Sequence, residues 1–364
     1  MALMAPSDSI RDALEAQVAN DKTPGLQYLA LDADRTLLEH CAGLANIGRR
    51  APMAPTTTLT AYSMSKTVTA AAVLSLVQAG RLGLDDSLER WVPENPYGPA
   101  VLVKHLLAHT SGIPNPLPLR WAHRTERHQT FDEAAALGAV LRDHARLSNP
   151  PGAKYVYSNI GYWLLGRIVE AASGETFPGY VREHLLSPLG IEAEELGYAI
   201  PDVSRHATGY LEKYSLMNLV KGFLMDRALM AEYEGRWLRI NDHYLDGPAF
   251  GGLIGTARAF GAFLQDQLAR RSRLFDDPTR ELLYEPQHIL DGASIPMTLG
   301  WHVGELGGRR FFFKEGGGAG FHCMMRLYRT QGIATVLMTN ATGFDVNGCL
   351  NRVDQALVDG RSTS

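Results

Sequence analysis

Residues 63–79 (SMSKTVTAAAVLSLVQA) spell a helix with almost no polar side. Val68, Ala71, Ala72, Ser75 and Leu76 share one face, while Val73, Leu74 and Val77 fill much of the rest. A helix that is apolar nearly all round must be enclosed by protein. Gly80 is its expected stop. The chain must therefore wrap other elements around this one. Its 364 residues, 45% hydrophobic and 20% charged, are enough to build a large core.

The candidate wrapping lies at both ends of the sequence. Gly25 to Asp32 and Arg35 to Ala42 read as two strands joined by a DAD hairpin turn. Near the other end, Thr298 to Val303, Arg309 to Lys314, His322 to Tyr328 and Ile333 to Thr339 are short, apolar and closely spaced. They predict an antiparallel meander. Helices are expected over Ser9 to Ala19, Thr256 to Ala269 and Phe344 to Val358. The middle of the chain is helical and loop-rich. Thr130-Phe131-Asp132-Glu133 is a capping box that opens a helix to about His144. Further helices are expected from Ile160 to Ala172, ending at Gly174, and from Thr176 or Phe177 to Leu186. Residues 211–245 are rich in Met and Leu and follow no clear period. The expected fold class is α+β. Residues 1–90 and 246–364 form one α/β domain, an antiparallel sheet flanked by helices, and residues 91–245 form an inserted, mainly helical domain.

The net charge is −4, from 35 basic and 39 acidic residues. A balance this close argues against a nucleic-acid or anionic-membrane footprint. The N-terminus lacks the basic start and apolar run of a secretory signal, and no apolar run reaches the ~18 residues of a membrane span. A soluble, cytoplasmic protein is expected. Cys41, Cys323 and Cys349 sit in apolar stretches without C-x-x-C spacing, so they read as reduced core thiols.

The start of the buried helix carries a chemical pattern. A serine hydroxyl needs a base within hydrogen-bond reach, an oxyanion hole and groups that orient the substrate. Ser63-Met64-Ser65-Lys66 places serine and lysine one helical turn apart, on one face. Four residues alone are a weak signal. Two further patterns occur once each: Tyr157-Ser158-Asn159 (Y-x-N) and Lys314-Glu315-Gly316 (K-x-G). Tyr157 follows Ser63 by 94 residues, and Lys314 follows Tyr157 by 157.

This ordered triple resembles the penicillin-recognising serine hydrolases: class C β-lactamases, penicillin-binding proteins, D-peptidases and esterases of the same fold. The resemblance extends to VKHLLAHTSGIP, PGAKYVYSNIGYWLLGRIVEAASG, PAFGGLIGTARAFGAFL and KEGGGAGFHCMMRLYRTQGIATVLMTNATG, and covers most of residues 56–345. It implies a β-lactamase/transpeptidase-like fold and an acyl-enzyme mechanism without a cofactor or metal. It also implies the roles. Ser63 resembles the acylated nucleophile, Lys66 its base partner and Tyr157 a second proton shuttle. Asn159 resembles the residue that holds the acyl side chain and the lysine. Lys314 resembles the cation of the third motif, and Gly316 completes that motif. The backbone N–H groups of Ser63 and Gly317 would form the oxyanion hole. A phenol near two ammonium groups should have its pKa lowered, and a lysine buried beside another cation likewise.

One position departs from the pattern. Glu315 replaces the hydroxyl residue that β-lactamases carry in the third motif, and its carboxylate would repel an anionic β-lactam if it faced the pocket. The expected substrate is therefore a small carboxylic ester. A β-lactam, a D-peptide or amide, acyl transfer to an alcohol or amine, and a catalytically silent binding role are the alternatives. His105 and His109 have the i, i+4 spacing of a zinc helix but lack its glutamate, so a structural role is expected. Arg120, Trp121, His123 and Arg124 read as a solvated loop rather than a pocket mouth.

Overall fold

The computed structural model describes residues 6–117 and 120–359. A seven-stranded antiparallel sheet runs in the order His302–Leu306, Arg309–Gly317, His322–Tyr328, Ile333–Thr339, Gly25–Asp32, Thr36–Asn46, Ala51–Pro52. The two ends of the chain meet at its centre, where Leu26 pairs with Thr339 and Asp32 with Ile333. Side chains alternate across a strand, and here both faces are covered. Leu29 and Leu31 enter the main core beside the Ala257–Leu268 helix. Leu26, Tyr28 and Ala30 enter a second core with the Pro6–Ala19 and Val346–Asp359 helices. Two covered faces explain why these strands read as nearly unbroken apolar runs.

The Ser65–Gln78 helix lies within the main core, as its composition requires, and packs on the Asn159–Ser173 helix. Gly80 follows it with φ +66, a backbone that glycine adopts at little cost.

Several boundaries differ from expectation. The first strand at the C-terminal end is His302–Leu306 rather than 298–303, because Gly300 turns the chain at φ +96. The helix expected from Thr130 starts at Glu133, and Asp132 rather than Thr130 caps it by accepting a hydrogen bond from Ala135 N at 2.9 Å. The middle segment also contains a three-stranded antiparallel sheet of Gly209–Glu212, Trp237–Ile240 and Met230–Glu234, and a helix, Leu216–Leu224, between its first two segments in sequence.

Candidate active site

Ser63 does not begin the long helix. It sits in a 3₁₀ turn, Tyr62–Met64, that leads into it. Tyr62 adopts φ +47, a left-handed conformation that is strained for a tyrosine. Two contacts hold it there: its hydroxyl donates to Ala319 O at 2.8 Å and lies 3.0 Å from His243 Nε2. The Arg309–Gly317 strand passes directly against this turn. A Cβ on Gly316 would stand 2.0 Å from Ala61 O and 2.9 Å from Ser63 N. Only glycine allows that approach, which accounts for the third residue of the K-x-G pattern.

Five of the sequence-selected side chains converge here. Lys66 Nζ lies 2.9 Å from Ser63 Oγ and donates to Asn159 Oδ1 at 2.7 Å and to the Phe250 carbonyl. Tyr157 Oη donates to Ser63 Oγ at 2.8 Å. Lys314 Nζ stands 5.4 Å from the centre of the Tyr157 ring and 5.7 Å from that of Tyr162. Lys66 and Lys314 are fully buried, whereas Ser63 is partly open to a cavity.

Burial, with Lys314 adding to it, drives the Lys66 amine well below its usual range. Burial also lowers Lys314, to about 7. Among the described residues Lys314 Nζ has no hydrogen-bond partner, and none of the three partners of Lys66 is a carboxylate. A neutral amine has two N–H donors and one lone pair. The two carbonyl oxygens, of Asn159 and Phe250, take the donors. When Lys66 is neutral, its lone pair faces the Ser63 hydroxyl proton, while Tyr157 donates to the same hydroxyl.

The expectation for Tyr157 is corrected. Burial pushes its phenol up rather than down. The lysines beside it are themselves displaced towards neutrality, so they offer the phenolate little stabilisation.

Neighbouring elements hold these groups in place. Ser158 caps the Asn159–Ser173 helix by accepting from Gly161 N at 3.1 Å, which leaves Asn159 as its first residue. Asn115 Oδ1 accepts from both N and Nδ2 of Asn159 at 3.1 Å and so orients its carbonyl to Lys66. His109 Nδ1 accepts from Ser158 N, and His109 O accepts from Val156 N, which pins the segment carrying Tyr157. His105 Nδ1 accepts from Leu102 N at the start of the Val103–Leu107 helix. Among the described residues no cluster of metal-ligand type is present.

A cavity of about 340 Å³ opens over Ser63. Its wall includes Trp121, Met217, Leu245 and Phe250, with Asn159 and Gly317 at the serine. The 120–124 segment is thus not a plain solvated loop: Arg120, Trp121 and Ala122 line this cavity, and His123 is buried beside a second one. Glu315 does not line the cavity. Its carboxylate is 2.6 Å from Nε2 of His322, which does. Asn115, the Phe250 carbonyl, Tyr62, His322 and Trp121 were not singled out as parts of a site by the sequence. A carbonyl leaves no signature in a side-chain pattern, whereas Tyr62 stood beside the serine.

A family model described as Beta-lactamase matches residues 10–359. The chain belongs to the Beta-lactamase family. Penicillin-binding protein 4* of Bacillus subtilis (strain 168) is 25% identical over 318 residues, covering 86% of this chain and 67% of that protein. The octameric penicillin-binding protein homologue from Pyrococcus abyssi superposes with a TM-score of 0.78 at 22% identity, over 98% of this chain and 78% of its own. D-amino acid amidase from Ochrobactrum anthropi SV3 also reaches 0.78, at 20% identity, over 98% of this chain and 100% of its own. The fold is β-lactamase/transpeptidase-like, and the family is one of serine hydrolases.

Proposed function

We propose that this protein hydrolyses small carboxylic esters through an acyl-enzyme on Ser63. One observation carries the reading: Ser63 Oγ lies between a buried lysine amine without a carboxylate partner, at 2.9 Å, and a phenol at 2.8 Å. Ser63 Oγ attacks the ester carbonyl carbon as its proton passes to the lone pair of Lys66. The N–H groups of Ser63 and Gly317 take the oxyanion. The C–O bond to the alcohol breaks, and Lys66 and Tyr157 relay a proton to the departing oxygen. Water then attacks the acyl-serine carbonyl and gives its proton to the same pair, the C–O bond to Ser63 breaks as that proton passes to Ser63 Oγ, and the carboxylic acid leaves. Asn159 keeps Lys66 aimed at Ser63 and meets the acyl side chain. Lys314 tunes the pair electrostatically, and Gly316 lets the strand close on the turn. The apolar cavity wall favours an uncharged ester over an anionic β-lactam.

A second reading rests on Glu315, which is 42% exposed at its side chain and would attract an ammonium group. That favours an amino-acid amide, the substrate type named for the D-amino acid amidase of like fold. A fluorophosphonate probe should label the wild type and not Ser63→Ala. Turnover of p-nitrophenyl butyrate should exceed that of nitrocefin and of D-phenylalanine amide. An amide or nitrocefin efficiency equal to the ester's would sink the ester preference, and an unlabelled wild type would sink the mechanism.

A further inference from the structure

The Leu216–Leu224 helix carries its apolar stripe on the outside. Leu216, Leu219, Val220 and Phe223 recur at helical spacing, yet are 75%, 82%, 42% and 61% exposed. The protein-facing side holds Asn218 instead, 6% exposed, whose Oδ1 accepts from Lys221 Nζ at 2.6 Å and from Tyr233 Oη at 3.1 Å. Amphipathic helices of globular proteins place the polar side outward. The reverse arrangement marks a surface for a partner.

That surface runs into the Ser63 cavity. Leu117 and Met217 are both exposed and both line it. The rim is basic. Lys213 and Arg227 flank the helix, Lys221 lies on it with its Nζ held by Asn218, and Asp226, which lines the cavity, is the single acidic residue within 213–227. Arg120 is tied to its end, donating to the carbonyls of Gly222 and Phe223. The near balance of charge over the whole chain conceals this local excess. An apolar stripe with cationic flanks is complementary to an anionic lipid surface.

We propose that the Leu216–Leu224 helix docks the protein on an anionic bilayer, so that the Ser63 cavity opens onto the lipid and draws a lipophilic acyl ester from it. The substrate rests on the ester-hydrolase reading; the docking does not. Ser63→Ala protein, which cannot turn over, is sedimented with phosphatidylcholine vesicles with and without phosphatidylserine. Binding should be about tenfold or more tighter with phosphatidylserine. Leu219→Ser/Phe223→Ser should weaken it about tenfold or more while the melting temperature stays put, since both side chains face water. Failure to bind phosphatidylserine vesicles overturns the docking, as does a double variant that binds like its parent. A dimer in lipid-free buffer that the double substitution dissolves overturns it too, because a second copy then covers the stripe. Vesicle binding without ester turnover by the wild type upholds the docking and overturns the ester reading. Turnover without vesicle binding does the reverse.

Discussion

Lys314 and Arg326 are buried cations on neighbouring strands, facing opposite sides of one sheet. Their surroundings could hardly differ more. Arg326 Nη1 donates to Asp354 Oδ2 at 3.3 Å, and its Nη2 donates to Asn347 Oδ1 at 2.7 Å and Asn351 Oδ1 at 2.8 Å. The same Asp354 oxygen accepts from Tyr328 Oη and Thr335 Oγ1. Among the described residues Lys314 Nζ has no hydrogen-bond partner, and no partner of Lys66 is a carboxylate. A cation that must stay charged in a core is given a counter-ion and acceptors; one that is denied them gives up its proton more readily. The first arrangement serves the fold; the second fits the proposed role of Lys66 as a base and of Lys314 as the charge that tunes it.

The largest effect expected from this contrast is on turnover. Lys66→Ala should lower kcat for p-nitrophenyl butyrate by about 10⁴-fold or more, and adding Ser63→Ala should cost little beyond that, because the pair acts as a unit. Independent, multiplying losses would break the comparison. Next in size is Asp354→Asn, which leaves Arg326 facing no carboxylate. Thermal or urea unfolding should show a loss of about 3–5 kcal/mol, with kcat of the folded fraction unchanged.

Lys314→Met should do the opposite: raise stability by about 1–4 kcal/mol and lower kcat/KM. The sign follows from proton binding. The unfolded lysine keeps its proton to about 10.4, the folded one only to about 7. The unfolded chain binds more protons between these values, so wild-type stability rises with pH across that window. The advantage of the Met variant is therefore full below about pH 7 and fades as pH climbs. A melting-temperature series over pH would show it. The same substitution removes the charge that lowers Lys66, so the acid limb of the pH–rate profile should move to higher pH. The smallest effect belongs to Glu315→Thr, a several-fold rise in nitrocefin turnover relative to ester, as expected from removing one partly exposed charge.

The sheet was legible where burial dominates. His322–Tyr328, Ile333–Thr339 and Gly25–Asp32 read as largely apolar runs and match their observed ends. The Gly209–Glu212, Trp237–Ile240 and Met230–Glu234 sheet did not, because Met230–Glu234 is half exposed and lacks clean alternation. The inverted Leu216–Leu224 helix confounds the usual rule that apolar spacing reports the core. Within the site, Ser63, Lys66, Tyr157, Asn159 and Lys314 could be selected because their motifs come in order. Asn115 and the Phe250 carbonyl could not, since only tertiary packing brings them to Asn159 and Lys66. The direction of the Tyr157 shift failed for a related reason: a list of nearby charges omits how deeply the ring is buried.

The pairing of Leu26 with Thr339 has a temporal side. On the ribosome, Gly25–Asp32 can form its hairpin with Thr36–Asn46 at once, but its other edge waits for a segment about 300 residues later in the chain. At about 5–20 residues per second that is a delay of about 15–60 s. Throughout it, an apolar strand edge stands open to other nascent chains. Expression yield should therefore respond to translation speed and to chaperone supply more sharply than the stability of the finished sheet would suggest.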